Sequence, residues 1–262
     1  MKPNLQKYSN MKNGIPLIFG VGKLYSLMKS YNVKKFITGD EYLTLYYKDI
    51  INKDYIKDFK IEKDKIKNKV EERLGYKINN YIPINSIFQV SDVENWEINF
   101  QICSLLLLSK NGIPFNNINL NKDNFKLNYH IANPDEEFMD NFPIPRYCGG
   151  SFLELLLLYF EKKYGKRFNV IKYGKPSALI YNYAKEYCKE NNKDKNISKF
   201  YMIGDNPLSD IQGAILAKIN SILVRTGIFR NKDNDEKFPA DLVKNDVYDC
   251  IEYIIKEFNL KI

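Results

Sequence analysis

Short apolar runs, each closed by glycine or polar residues, alternate along the chain with stretches that repeat apolar positions at helical spacing. The apolar runs predict strands at residues 17–19, 34–38, 200–203 and 222–224, and the repeating stretches predict helices at 23–30, 96–110 and 207–219. Strands that alternate with helices are typical of a parallel sheet covered by helices on both faces. The pattern therefore predicts an α/β fold.

The segment 199–227 combines a strand, an acidic turn and a helix, and it holds the first candidate site. Asp205 follows Gly204 at the end of the predicted strand, where open α/β sheets place their ligands. Asp210 lies in the first turn of a helix that Pro207 begins. The apolar face of this helix is predicted to consist of Ile211, Ala214, Ile215 and Ile219.

The two carboxylates of this segment have two interpretations. Carboxylates this close at the mouth of a sheet repel each other unless a cation neutralises them, and Mg²⁺ prefers hard oxygen ligands. Asp205 and Asp210 are therefore candidate ligands of Mg²⁺. In the alternative, Asp205 caps the helix and Asp210 is a solvated acid of its first turn.

A turn upstream adds a basic group. Lys175 lies between Gly174 and Pro176, directly before another predicted helix. Its ammonium and the amide donors at the start of that helix can bind a phosphate. This turn therefore favours an anionic, phosphorylated ligand.

Four further motifs have a functional or a structural interpretation. Asn133 and Asp135 flank Pro134, and they either contact a substrate or form an Asx turn. His130 is the only histidine, and its apolar surroundings favour a packing role. The glycines of the sequence GVG at 20–22 indicate a turn rather than a phosphate loop. Ser151 and Glu154 have the spacing of a capping box.

Composition indicates an ordinary globular protein, with 44% hydrophobic and 27% charged residues. The formal net charge is +8, but the lysines are mixed with acids, which argues against nucleic-acid binding and still favours anionic substrates. The four cysteines are widely separated, which fits a reducing compartment better than a disulfide scaffold or a zinc site. We expect neither a signal peptide nor a membrane span, because no apolar run is long enough.

GKP at 174–176, followed by a strand ending in GDNPLSD and then by ILV and TG, resembles the haloacid dehalogenase (HAD) superfamily. Within it the chain is similar to the class IIA hydrolases, and most to the cat eye syndrome critical region protein type. IANPDEEF at 131–138, PRYCGGSF from 145 and GIPLIFGVGKLYSLMKSYNVKKF from 14 extend the resemblance over most of the chain.

The resemblance implies a Rossmann-like core with a large α/β cap. It also implies a Mg²⁺-dependent phosphatase that acts on a small phosphorylated metabolite. Lys175 would stabilise the phosphoryl charge, Asp205 would bind the metal, and Asp210 would orient a metal-bound water or the lysine. The implied substrate contacts are Asn133, Asp135, Gly174 and Asn206.

The resemblance divides the chain into a polar remnant at 1–14, a cap at 15–127 and the C-terminal half of a core at 128–262. The resemblance also favours a cytoplasmic or mitochondrial location and a role in glycerophospholipid metabolism.

The nucleophilic Asp-x-Asp motif of the family, which should end a strand before the cap, is not found. Asp233 and Asp235 have the spacing but follow no apolar run. Three explanations stay open: a shortened chain, a catalytically inactive binding protein, or an enzyme completed by another chain. A core sheet without its first strand would expose an unpaired edge, so we expect self-association or a partner that completes the sheet.

Overall fold

The computed structural model describes residues 1–51, 62–114, 126–193 and 196–260. The helices are α1 (Lys2–Ser9), α2 (Leu24–Ser30), α3 (Gly39–Ile50), α4 (Lys63–Leu74), α5 (Trp96–Leu107), α6 (Gly149–Tyr164), α7 (Ala178–Asn191), α8 (Gln212–Ala217) and α9 (Val247–Glu257). The strands are β1 (Ile15–Phe19), β2 (Ile37–Thr38), β3 (Ile84–Gln89), β4 (Asn128–Ile131), β5 (Glu137–Phe138), β6 (Arg146–Tyr147), β7 (Val170–Lys172), β8 (Tyr201–Gly204), β9 (Asn220–Val224) and β10 (Leu242–Lys244). A π-helical turn, Pro207–Ile211, precedes α8.

The chain divides into two compact units. Unit 1 comprises Met1–Pro134 and Gly149–Lys172, and unit 2 comprises Asp135–Cys148 and Tyr173–Ile262. Both units contain parallel strands and helices, so the predicted α/β fold with a parallel sheet is confirmed.

Unit 1 is built on a five-stranded parallel sheet in the order β2-β1-β3-β4-β7. All residues of β1 and β3 are buried, as expected for parallel strands covered on both faces. Neighbouring residues point to opposite faces, so Leu17 and Ile87 join one buried cluster and Ile18 and Phe88 join another.

Strand β4 continues this sheet beyond residue 127, where the sequence predicted the cap to end. The division into a cap at 15–127 and a core at 128–262 stays a prediction. The predicted polar remnant at 1–14 forms α1, whose Leu5 is fully buried in the second cluster.

One helix start in unit 1 differs from the sequence prediction. Helix α6 begins at Gly149, so Ser151 lies inside its first turn and the predicted capping box with Glu154 was wrong. Instead the Gly149 amide donates to Asp92 Oδ1 at 2.8 Å. Helix α4 follows residues 52–61, which lie outside the described ranges.

Unit 2 contains a three-stranded parallel sheet in the order β10-β9-β8 and a two-stranded antiparallel hairpin, β5-β6. Strand β8 lies at one edge of its sheet as described, and all four of its residues are half-buried. The strands predicted at 200–203 and 222–224 are confirmed as β8 and β9.

The helix predicted after Pro207 is interrupted. The π-helical turn comes first, and α8 ends because Lys218 adopts a left-handed conformation with φ of 54°. Ile211 and Ala214 are buried as predicted, but Ile215 is 48% exposed, so its assignment to the apolar face was wrong. Ile219 lies beyond the helix.

No described helix combines the length and the apolar character that crossing a membrane requires. His130 is fully buried in unit 1 and stacks on Phe88, with 4.1 Å between ring centroids, so the predicted packing role is confirmed.

Candidate functional site

Asp205 follows the last residue of β8 and is held against the loop that follows β9. Its carboxylate Oδ2 accepts the amide of Ile228 at 2.8 Å, and its backbone carbonyl accepts the amide of Phe229 at 3.0 Å. Gly227 leaves the space for this carboxylate, because a Cβ atom there would collide with it. The loop after β9 therefore fixes the position of Asp205. This is possible because the carboxyl ends of the parallel strands β8 and β9 lie at the same edge of the sheet.

Asn206, and not Asp205, caps the turn that follows β8. Its side-chain Oδ1 accepts the amide of Leu208 at 3.0 Å, and its carbonyl accepts the amide of Asp210 at 2.8 Å. The alternative in which Asp205 caps the helix was therefore wrong. The cap leaves the carboxylate of Asp205 available for another role.

Asp210 lies in the π-helical turn, and its side chain is only 4% exposed. Oδ1 accepts Nζ of Lys175 at 2.6 Å, and Oδ2 accepts the amide of Asn206 at 3.1 Å. A Cβ atom on Gly204 would collide with this carboxylate, so glycine at the end of β8 is required for the arrangement. Asp210 is thus a buried, paired acid, not the solvated one that the alternative interpretation described.

Tyr181 supports the same turn from α7. Its hydroxyl lies 3.1 Å from the backbone carbonyl oxygens of both Ser209 and Asp210, to which it can donate. Burial, followed by the charge of Asp210, raises the pKa of Tyr181, so the hydroxyl stays a donor at neutral pH. The sequence analysis missed this residue, because no local pattern marks a tyrosine that reaches a turn about 28 residues further along the chain.

Lys175 joins the site from the segment before α7. Besides the contact with Asp210, its Nζ lies 3.6 Å from Oδ2 of Asp135, and its side chain is 35% exposed. Burial lowers the pKa of Lys175, but the hydrogen bond and the charge of Asp210 outweigh burial and leave the pKa raised. The lysine is therefore a positively charged group that reaches solvent on one side.

Six of the seven predicted site residues belong to unit 2: Asp135, Gly174, Lys175, Asp205, Asn206 and Asp210. The structure brings Lys175 together with Asp135 and Asp210, and it joins Asn206 to Asp210. Gly174 shapes the turn before α7, where its carbonyl accepts the amide of Ser177 at 3.0 Å. Asn133 is exposed and belongs to unit 1. The assignment of these residues to catalysis, metal binding and substrate binding stays a prediction.

The fit of Mg²⁺ can be judged from the donors. Within the described ranges, no group of three or more His, Cys, Asp or Glu side chains lies close enough to hold a metal ion. Asp205 keeps one carboxylate oxygen, Oδ1, that accepts no hydrogen bond from another described residue, whereas both oxygens of Asp210 are already engaged. Mg²⁺ is often bound through one or two carboxylates, with water and phosphate oxygens as the other ligands. The described residues can therefore supply only part of a Mg²⁺ ligand set, with Oδ1 of Asp205 as the main donor.

Comparison with known proteins found a family match for the C-terminal segment. Residues 172–250 match a family model described as HAD-hydrolase-like. The chain is 32% identical over 179 residues to a fusion protein of Schizosaccharomyces pombe named cardiolipin synthase (CMP-forming) / mitochondrial hydrolase, and this match covers 67% of the chain and 30% of the relative. It is 24% identical over 196 residues to a mitochondrial hydrolase of Saccharomyces cerevisiae, covering 66% of the chain and 56% of the relative.

Among solved structures, a hypothetical protein of Pyrococcus horikoshii is similar in fold. Its TM-score is 0.53 at 16% identity, over 97% of this chain and 72% of that one. The chain therefore shares an α/β fold with a solved structure, although it spans only 30% and 56% of the two curated relatives. Residues 172–250, which carry Lys175, Asp205 and Asp210, are HAD-hydrolase-like.

Proposed function

We propose that this chain is the lysine-bearing and aspartate-bearing part of a class IIA HAD phosphatase that acts on a small phosphorylated metabolite with Mg²⁺. The observation that carries the proposal is the pairing of Lys175 with Asp210 beside the strand end that holds Asp205. These residues come from the segment that matches the family model.

In the proposed reaction, Lys175 binds the phosphoryl group through its solvent-facing side. An ammonium has three donors, so the pair with Asp210 leaves donors for phosphate oxygens. Its positive charge stabilises the negative charge that builds on the transferring group. Asp210 keeps this ammonium charged and directed.

Asp205 is the proposed metal ligand, because its Oδ1 is available and its position is fixed by the loop after β9. When bound, Mg²⁺ supplies Lewis-acid polarisation of the phosphoryl oxygens. Asn206 and Gly174 are proposed as substrate contacts, and the substrate-binding role of Asn133, which belongs to unit 1, stays a prediction from the sequence.

The proposed nucleophile lies outside these 262 residues. Asp233 and Asp235, the pair with Asp-x-Asp spacing, lie in the loop before β10 and not at the end of a strand. Oδ1 of Asp235 also accepts the amide of Phe238 at 2.7 Å, which is a local turn contact. Another part of the whole protein, or another chain, would supply the attacking aspartate next to β8.

The finer assignments are also proposals. The relatives are named as mitochondrial hydrolases, and one is fused to a cardiolipin synthase. We propose a mitochondrial location and a substrate among the phosphorylated intermediates of glycerophospholipid metabolism. Membership of the cat eye syndrome critical region protein type rests on the sequence motifs alone.

A second function, a catalytically inactive binding protein, is favoured by one observation: no strand of the described ranges ends in an Asp-x-Asp sequence. Such a protein would bind phosphate at Lys175 without turning over an ester. The two functions share a binding site and differ in chemistry.

The test is a titration of the chain with inorganic phosphate in the presence of MgCl₂. Isothermal titration calorimetry measures the binding. We expect the unchanged chain to bind phosphate and Lys175→Met to bind it at least about tenfold more weakly, because the substitution removes one charge-assisted contact. Lys189→Met is the matched control, because Lys189 lies on α7 of the same unit and pairs only with exposed Glu186 among the described residues. No binding by the unchanged chain, or equal binding by Lys175→Met, would contradict the proposal.

A panel of phosphate esters then separates the two functions. Hydrolysis by the longest available form of the protein, lost in Asp205→Asn, supports the phosphatase. Phosphate binding without hydrolysis of any ester supports the binding protein.

A further inference from the structure

The ammonium of Lys175 lies between two carboxylates that come from different parts of the chain. Asp210 is 2.6 Å away on the π-helical turn, and Asp135 is 3.6 Å away on the segment 135–148. Asp210 forms a hydrogen bond, whereas 3.6 Å is beyond normal hydrogen-bond length, so Asp135 acts on the ammonium mainly through its charge.

Asp135 is itself held in place. Its backbone carbonyl accepts Sγ of Cys148 at 2.6 Å, and the neighbouring carbonyl of Glu136 accepts the Cys148 amide at 2.9 Å. These contacts close the base of the β5-β6 hairpin. The Asp135 side chain is only 17% exposed, so it is a poor candidate for a solvated surface acid.

Chemistry argues against a direct contact between Asp135 and a phosphate. An ionised carboxylate only accepts hydrogen bonds, and it repels the phosphoryl oxygens. The residue that a phosphate would meet first is the ammonium, which Asp135 attracts. This chemistry argues against Asp135 as a phosphate contact, and its predicted role towards the rest of a substrate stays a prediction.

We propose that Asp135 is a positioning residue for Lys175, which fixes the direction of the ammonium jointly with Asp210. A lysine side chain has four rotatable bonds, so one carboxylate restrains Nζ less than two carboxylates on separate segments. The proposal rests on the proposed function in one respect, which is that the oriented ammonium binds phosphate. The orientation itself exists without any ligand.

The experiment measures the order of the Lys175 side chain in the chain labelled with ¹³C-lysine. Lys175→Met identifies its Cε resonance by the loss of that peak, and ¹³C relaxation gives the order parameter. We expect a restrained Cε group in the unchanged chain and a markedly lower order parameter in Asp135→Asn, which keeps the shape and removes the charge. Asp140→Asn is the matched control, because Asp140 lies on the same hairpin and pairs with Arg146 at 3.6 Å.

Phosphate affinity provides the second measurement. We expect Asp135→Asn to weaken binding of inorganic phosphate with MgCl₂ about threefold to tenfold, and Asp135→Glu to restore part of the order and of the affinity. An unchanged order parameter in Asp135→Asn would overturn the proposal, whether or not affinity changes. Loss of order in a chain that never binds phosphate would support the positioning role and refute the proposed function instead.

Should Asp135→Asn fail to fold, Asp135→Glu alone decides the question. The longer side chain moves the carboxylate relative to Nζ, so a positioning role requires a changed Lys175 order parameter. An unchanged value would overturn the proposal.

Discussion

Nζ of Lys175 donates to Oδ1 of Asp210 at 2.6 Å, although the two residues are 35 positions apart in the sequence. The contact joins the segment before α7 to the turn after β8. It places one ammonium beside a carboxylate whose side chain is 4% exposed, so removing the lysine leaves a buried carboxylate without its cation. We therefore expect the pair to contribute to the stability of unit 2.

A double-mutant cycle measures the strength of this pair. Lys175→Met leaves the buried Asp210 without its cation, and we expect a loss of about 1–3 kcal/mol in the free energy of unfolding, moderated because the lysine is partly exposed. With Asp210→Asn as the second variant, the expected coupling energy is about 1–2 kcal/mol. Urea unfolding followed by far-ultraviolet circular dichroism gives these values, since the single tryptophan, Trp96, lies in unit 1. Additive single variants would show that the pair contributes nothing.

Two glycines are expected to be intolerant of alanine for a specific reason. Gly204→Ala forces a methyl group into the carboxylate of Asp210, and Gly227→Ala forces one into that of Asp205. We expect each variant to lose about 1–3 kcal/mol of stability, which is typical of overpacking. The two variants also distinguish the two aspartates. Gly204→Ala displaces the carboxylate that pairs with Lys175, so it should disturb the lysine side chain, whereas Gly227→Ala should leave that side chain in place. The lysine relaxation experiment distinguishes them, and a disturbed Lys175 in Gly227→Ala would contradict this separation.

Several strands were predictable from the sequence because continuous apolar runs are typical of parallel strands. β1, β8 and β9 follow from that signal alone. The sheet order was not predictable: β4 lies beside β3, and β7 beside β4, because of tertiary packing between segments that are far apart in sequence. For the same reason, the predicted boundary at residue 127 falls between two neighbouring strands.

The site was predicted in part. The sequence indicated Lys175, Asp205 and Asp210 through their places after a turn and after a strand, and the structure joins Lys175 to Asp210. Tyr181 and the contact between Asp135 and Lys175 carry no local signal, since they depend on how α7 and the segment 135–148 pack. Ile215 was misplaced because the π-helical turn shifts the helical register, which a 3.6-residue period cannot anticipate.

The free edge of β8 predicts association. In the described sheet, β8 pairs only with β9, which leaves backbone donors and acceptors on its other side. We expect the sedimentation coefficient of the chain to rise with concentration. Met202→Lys places a charge on the edge strand, so this variant should show a smaller rise. Leu260→Lys is the control, because Leu260 is 53% exposed and lies outside the sheets. A chain that stays monomeric at all concentrations, with the β8 amides protected from hydrogen exchange, would show that the edge is already covered.

The buried His130 predicts a loss of stability in mild acid. Burial, followed by the charge of the amino terminus, lowers the pKa of His130 to about 4, against about 6.5 in an unfolded chain. As pH falls from about 6.5 towards 4, the unfolded chain binds a proton that the folded chain does not bind, so the free energy of unfolding decreases, by about 1–3 kcal/mol in all.

His130→Phe keeps an aromatic ring against Phe88 and removes the ionisable group, so its stability should change less over this range. Urea unfolding followed by Trp96 fluorescence reports on unit 1, which contains all three residues. The interval from about pH 6.5 to 5.5 separates this histidine, the only one in the chain, from the carboxylates that titrate lower. Parallel stability curves for the two proteins over that interval would show that His130 is not the titrating group.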